Sequence, residues 1–192
     1  MSRAYITAAF GSAGLQESII YLLRQNSYEV EDLSVQGAGL IRSLLASPPQ
    51  LLICDLDFFG INGLETLRII IEDRICPVVL FLRDSERETI GQFPENDVDL
   101  YIIQRPVNKT AFINSIGFIL KNIDRINILE KEISGLKENI ETRKIVGRAK
   151  AVMMKKYRIS EETAHRLLQK KSMETRRPVR AIAVEIMEEE DT

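Results

Sequence analysis

Two carboxylates directly follow an apolar stretch, where they could take part in chemistry. Leu51–Cys54 is continuously apolar, Asp55 comes next, and Asp57 lies two residues further on. Such a run is typical of a strand buried in a parallel sheet. Acidic side chains at its carboxyl end would line the crevice in which open α/β sheets bind ligands. Two ordinary loop carboxylates would give the same Asp-x-Asp pattern, so both interpretations stay open.

The other reactive side chains form no catalytic group. His165 is the only histidine, and no nucleophile or further ligand lies near it in sequence. Cys54 and Cys76 lie in apolar surroundings, and their spacing fits neither a metal site nor a disulfide framework. A glycine loop that could cradle phosphate is also missing. We therefore predict no metal site, no cofactor and no enzymatic activity.

Positive charge is concentrated near the C-terminus. Between Gly135 and Met187 there are 14 Lys or Arg and 6 Asp or Glu, a net charge of about +8 in a chain whose total is −2. Residues 1–134 carry 12 basic and 18 acidic side chains, and the tail Glu188–Asp191 adds four negative charges. This asymmetry favours a polyanionic partner for one domain, although a solvated helical face is the alternative.

Three short amphipathic patterns carry these basic residues. Ser160 is predicted to cap the second helix, and Pro178 suits the first turn of the third. We predict a small all-α three-helix domain over residues 141–192, ending in an acidic tail. Its buried positions are expected to be Ile145, Ala149, Val152 and Met153, then Ala164, Leu167 and Leu168, then Val179, Ile182, Ala183 and Ile186.

Residues 1–120 alternate between strand and helix patterns. Strand patterns cover 4–10, 28–33, 51–54, 77–82 and 100–103, while residues 84–96 are ambiguous. This alternation predicts an α/β fold with a five-stranded, doubly wound parallel sheet. We expect no membrane-spanning segment, no signal-like N-terminus and a cytoplasmic protein.

Residues 121–140 predict a coiled-coil connector helix. Apolar residues recur at heptad spacing along a seam, and Gly135 within it is a candidate bend. One helix lying on its own N-terminal domain would also bury such a stripe. Because a helix that projects between the domains would leave this apolar stripe exposed to solvent, we favour a parallel homodimer. The seam consists of Ile126, Leu129, Ile133, Leu136 and Ile140.

The stretch "RAKAVMMKKYRISEETAHRLLQKKSMETRRPVRAIAVEIM" closely resembles an ANTAR domain, over roughly Leu136 to Met187. ANTAR domains are three-helix RNA-binding modules of bacterial antitermination regulators, fused to receiver-like domains. The resemblance implies binding to paired hairpins with short loops in a transcript leader, which prevents a competing terminator from folding.

We expect the basic side chains to contact RNA phosphates, which makes binding depend strongly on salt. Tyr157 either stacks on an unpaired base or caps the three-helix core. The predicted RNA-binding residues are Arg148, Lys150, Lys155, Lys156, Tyr157, Arg166, Lys170, Lys171, Arg176, Arg177 and Arg180.

The N-terminal region, with "LLICDLDFFGINGLE", resembles a response-regulator receiver domain with a flavodoxin-like fold. The resemblance places Asp55 at the phospho-acceptor position, with Asp57 and Arg105 in the crevice, and implies a sensor kinase or another protein partner. In receivers an acidic pair holds Mg²⁺, and here that region reads Phe10-Gly11-Ser12. The Ser or Thr that ends the fourth strand is replaced by Leu82 or Arg83, and the usual lysine by Arg105. We therefore expect a pseudo-receiver in which Arg105 pairs with Asp55, without a Mg²⁺ site.

Two other functions compete with RNA binding. One is a helix-turn-helix regulator that binds double-stranded DNA. The basic stretch "KKSMETRRP" disfavours this alternative, because it predicts a long connection between the second and third helices instead of a tight turn. The other is a protein-interaction module whose basic helices dock an acidic partner.

Overall fold

The structure, a computed structural model, describes residues 4–33, 38–60, 63–91, 93 and 99–188. The chain divides into two compact units, Met1–Arg125 and Ile126–Thr192. Most of the predicted acidic tail and part of the ambiguous 84–96 stretch lie outside the described residues. Among the described residues, no helix is both long and apolar enough to cross a bilayer.

The first unit contains five parallel strands in the order β2-β1-β3-β4-β5. The predicted doubly wound parallel sheet is therefore confirmed. All five residues of β3 are buried, which explains why its sequence is apolar up to the aspartate at its carboxyl end. The strands are β1 (Tyr5–Ala9), β2 (Glu29–Asp32), β3 (Leu51–Asp55), β4 (Val78–Leu82) and β5 (Leu100–Gln104).

Helices cover both faces of this sheet. Alternate strand residues face opposite sides, so β3 contributes Leu52 and Cys54 to one core and Leu51 and Ile53 to the other. The first core also takes residues of α2 and α4, and the second takes residues of α1 and the start of α6. The helices are α1 (Ala13–Gln25), α2 (Ala38–Ala46), α3 (Leu56–Phe59), α4 (Gly63–Glu72), a 3₁₀ turn (Asp84–Glu86), α5 (Arg87–Ile90) and α6 (Lys109–Tyr157).

Helix α6 is 49 residues long and contributes to both units. It includes the predicted connector and the first pattern of the C-terminal domain, and no helix end separates residue 140 from residue 141. Gly135, the candidate bend, lies within its helical span.

The second unit packs the end of α6 against α7 (Glu161–Thr175) and α8 (Val179–Glu188). The predicted cap of α7 is confirmed, because the Thr163 N–H donates to Ser160 Oγ at 3.2 Å. The fully or largely buried core residues are Ala149, Met153, Ala164, Leu168, Ile182 and Ala183.

Two predictions for this unit are wrong. Leu167 is 44% exposed instead of buried, because Ala164 and Leu168, four residues apart, occupy the inner face of α7. The predicted long connection before the third helix is also wrong. Helix α7 continues to Thr175 and α8 begins at Val179, which leaves a turn of three residues.

Candidate functional site

Asp55 lies at the end of β3 with only 3% of its surface exposed, and its carboxylate has three donors. Oδ1 accepts hydrogen bonds from the backbone N–H groups of Gly11 at 2.9 Å and Phe58 at 3.0 Å. Oδ2 accepts one from Arg105 Nη2, also at 2.9 Å. The bond from the Phe58 N–H also caps α3, so Oδ1 stabilises the start of this helix.

Arg105 directly follows β5 and supplies the cation that neutralises Asp55. Parallel pairing of β3, β4 and β5 brings the two residues together although they are 50 positions apart. The guanidinium also lies 5.7 Å from the centroid of the Phe81 ring, within reach of a cation–π interaction. Its Nε is buried without a hydrogen-bond partner among the described residues.

Asp57 is turned to a second arginine. Arg83 Nη2 contacts Asp57 Oδ1 at 2.7 Å and Glu86 Oε1 at 2.5 Å. Hydrogen bonds to Glu86 and then to Asp57 raise the pKa of the Arg83 guanidinium above its usual range. The receiver resemblance places Leu82 or Arg83 where receivers end the fourth strand with Ser or Thr, but it does not predict the ion pair between Arg83 and Asp57.

The described residues of this crevice do not fit a Mg²⁺ ion. Asp55 is occupied by two amides and a guanidinium, and Asp57 by a second guanidinium. A Cβ added at Gly11 would lie 2.5 Å from Asp57 Cβ, so a side chain there requires the loop to move. No group of three or more His, Cys, Asp or Glu in the described part of the chain is arranged to hold a metal.

Half of the ten predicted RNA-binding cations form ion pairs within the second unit. Glu185 accepts from Lys171 Nζ at 2.7 Å and from Arg177 Nη1 at 2.6 Å. Lys150 Nζ lies 2.5 Å from Glu161 Oε1. Hydrogen bonds from these cations lower the pKa values of both glutamates, chiefly through Lys171 for Glu185 and Lys150 for Glu161. The two longer pairs are Lys170–Glu174 at 3.8 Å and Arg180–Glu138 at 3.9 Å.

The other five predicted cations are exposed and have no ion pair within 4.0 Å among the described residues. They are Arg148, Lys155, Lys156, Arg166 and Arg176. Tyr157 is 56% exposed and lies outside the core cluster, and Lys156 Nζ is 5.9 Å from the centroid of its ring. The exposed ring is available for stacking.

The predicted seam residues are apolar and mostly exposed in the single chain. Leu129, Ile133, Leu136 and Ile140 have between 47% and 62% of their surface accessible, and Ile126 is partly buried. Ile128 is 58% exposed as well, although it does not belong to the heptad seam.

The fold defines a protein with a receiver-like α/β unit and a small helical second unit. The ANTAR domain family matches residues 134–187. The chain is 25% identical over 183 residues to the transcriptional regulatory protein PdtaR of Mycobacterium tuberculosis strain H37Rv, covering 95% of this chain and 89% of that protein.

Solved receiver structures share the fold of the first unit. The signal receiver domain of a protein described as a Luxo repressor from Vibrio parahaemolyticus is 20% identical, with a TM-score of 0.54, covering 67% of this chain and 98% of that one. A CheY-like response regulator receiver domain from Methanospirillum hungatei JF-1 is also 20% identical, with a TM-score of 0.53, covering 65% and 98%.

Proposed function

We propose that this chain is a transcription antitermination regulator that binds hairpin RNA through its C-terminal unit. The observation that carries the proposal is the ANTAR match to residues 134–187, a segment with several exposed cations that form no ion pair among the described residues. Phosphate contacts from these cations would hold a leader RNA in its hairpin form and keep a terminator from folding. A regulator that acts on a nascent transcript works in the cytoplasm.

Competition binding tests this proposal against duplex DNA. A labelled RNA with two short-looped hairpins is bound by the full chain and then challenged with unlabelled RNA or with a DNA duplex of equal length. The RNA is expected to compete at a much lower concentration than the DNA. Equal competition would favour a DNA-binding regulator, for which the three-residue turn between α7 and α8 is a compatible feature.

Charge reversal on α6 identifies the binding face. Arg148 and Lys155 are seven residues apart, so both lie on one side of the helix. Replacing both by Glu is expected to weaken RNA binding by about 10- to 100-fold through lost phosphate contacts and new repulsion. Lys121→Glu, the same change at an exposed position in the first unit, should leave affinity unchanged. The alternative of an acidic protein partner would be favoured if the wild-type chain did not bind RNA and if its complexes with other proteins persisted after nuclease treatment.

We also propose that α6 pairs in a parallel homodimer along the seam from Ile126 to Ile140. Burial of a stripe of half-exposed apolar side chains favours pairing, and a dimer suits an RNA with two hairpins because the second contact becomes intramolecular. In sedimentation experiments the Leu136→Glu variant should be a monomer, because the substitution places a charge in the seam. The Ile128→Glu variant, changed outside the seam, should remain a dimer. A wild-type chain that sediments as a monomer with bound RNA would contradict the dimer.

The receiver-like unit, assigned to residues 1–120, acts as a pseudo-receiver in this proposal. Arg105 already neutralises Asp55, and the described residues of the crevice do not provide the group of carboxylates that a Mg²⁺-dependent phosphoryl transfer uses. Incubation with a small phosphodonor and Mg²⁺ should leave the mass of the chain unchanged. A mass increase of one phosphoryl group that Asp55→Asn abolishes would contradict this role. We also propose that this unit binds a protein partner. Residues 121–140 then form the connector, and residues 141–192 form the RNA-binding domain.

A further inference from the structure

Two arginines of the second unit occupy a backbone conformation that suits glycine better. Arg158, just after α6, has a φ of 51°, and Arg176, which ends α7, has a φ of 54°. In this left-handed region the Cβ of an L residue crowds the following carbonyl, and glycine is the usual residue at such helix ends. A large cation is therefore present at both turns against the preference of the backbone.

Internal ion pairing does not account for these arginines. Both side chains are exposed, and neither forms an ion pair within 4.0 Å in the described part of the chain. Nearby Lys171 and Arg177, by contrast, are held by Glu185. One structural alternative remains, which is that a cation near a helix C-terminus stabilises the helix through its dipole.

We propose that Arg158 binds a phosphate group of the RNA in the same way as Arg176, which already belongs to the predicted RNA-binding set, an assignment that rests on the proposed function. A guanidinium can bind phosphate oxygens through two parallel N–H bonds, which neither glycine nor asparagine offers. The two turns bracket α7, whose 15 residues span about 22 Å. The arginines therefore contact different phosphates, and their contributions are independent. Sequence patterns gave no reason to select Arg158, because its distinguishing feature is its backbone angle.

Substitution by glycine separates RNA binding from helix stability, because the two roles predict opposite changes. Arg158→Gly, Arg176→Gly and the double variant are prepared in the full chain. Each glycine relieves the left-handed strain and should raise the thermal midpoint of the second unit by about 2–4 °C. Each should also reduce the slope of log affinity against log salt by about 0.7–0.9, as expected for one lost phosphate contact. In the double variant both effects should add.

Matched variants control for backbone and charge. Ser27→Gly relieves a φ of 68° after α1 without removing a charge, so it should raise stability and leave RNA binding unchanged. Arg158→Lys keeps both the cation and the strained backbone and should retain the wild-type salt slope. Arg158→Asn removes the charge but tolerates the left-handed conformation, which provides a second neutral variant if the glycine variant misfolds.

The outcomes separate failure of this inference from failure of the proposed function. Suppose that the wild-type chain binds the two-hairpin RNA, and that the glycine variants have a lower thermal midpoint with unchanged affinity and salt slope. The arginines then stabilise their helices, so this inference is overturned while the proposed function stands. If the wild-type chain shows no salt-dependent RNA binding, the proposed function and this inference are both overturned. Higher stability with a reduced salt slope establishes the phosphate contacts.

Discussion

Removal of Arg105 tests whether its ion pair holds the receiver-like crevice together. Arg105→Met keeps an apolar stem over Phe81 but leaves the carboxylate of Asp55 buried without its cation. Breaking a buried pair on one side usually costs 3–5 kcal/mol, and because a quarter of Arg105 is exposed we expect about 2–3 kcal/mol. In a chain of 192 residues this corresponds to a fall of roughly 4–12 °C in the thermal midpoint.

A substitution of the other partner, Asp55, should cause a smaller loss of stability. Asp55→Asn retains an oxygen that can accept from the amides of Gly11 and Phe58, and the partly exposed Arg105 can turn towards water. We expect a loss of about 1 kcal/mol. With both substitutions the buried charge and its cation are gone together, so the double variant should lose only about 1 kcal/mol as well.

Urea unfolding of the four proteins, followed by circular dichroism, gives the coupling energy of the pair. The values above predict about 2–3 kcal/mol of coupling between the two residues. A coupling below about 0.5 kcal/mol would refute the reasoning, because Asp55 would then be stabilised by its amide donors alone. Unchanged slopes of free energy against urea would show that the substitutions act on the folded state.

Three further predictions concern packing, charge and thiol reactivity. Gly11→Ala should destabilise the first unit by about 1–3 kcal/mol in thermal unfolding, because its Cβ would lie 2.5 Å from Asp57 Cβ in the loop after β3. The control Gly14→Ala lies in a helix with nothing within 4 Å of the added Cβ, so it should be neutral or stabilising. Glu185→Gln removes the negative charge that pairs with Lys171 and Arg177 and should strengthen RNA binding in titrations because it lowers repulsion of the phosphates. Because the pKa of Glu185 is lowered from 4.5, its stabilising contribution is fully present above pH 4.5 and is lost as the pH falls through the lowered pKa. The substitution should flatten that acid dependence in unfolding experiments. Burial raises the pKa of the Cys54 thiol well above its usual value and raises that of Cys76 to about 12, so a thiol reagent at pH 8 should label neither until urea is added.

Local patterns were sufficient to predict the sheet and the helix cap. The apolar run ending at Asp55 identified the central strand, since a strand covered on both faces needs apolar residues at every position. Ser160 was recognisable because a hydroxyl before two glutamates satisfies the first amides of a helix. The pairing of Arg105 with Asp55 followed from the receiver resemblance, which places both at the same edge of the sheet.

Features that depend on tertiary contacts or on unusual backbone angles were not predictable from these patterns. Glu185 lies 14 residues from Lys171, and Arg83 lies 26 residues from Asp57, so neither pairing has a local signal. The end of α7 was misplaced because Arg176, not glycine, adopts the left-handed conformation there. Leu167 was assigned to the core because its neighbour Leu168 is equally apolar, and only the packing of α7 distinguishes them.

The salt dependence of RNA binding by the full chain tests the central claim most directly. Affinity for a two-hairpin RNA is measured over a series of salt concentrations beside a duplex DNA of equal length. If the five exposed cations of the predicted set that have no ion pair among the described residues each contact one phosphate, the slope of log affinity against log salt should be about −3.5 to −4.5 per chain, and about −4 to −5.5 with the contact of Arg158. RNA should also bind more tightly than DNA at every concentration. A slope near zero, or equal affinity for both nucleic acids, would contradict RNA recognition by the C-terminal unit.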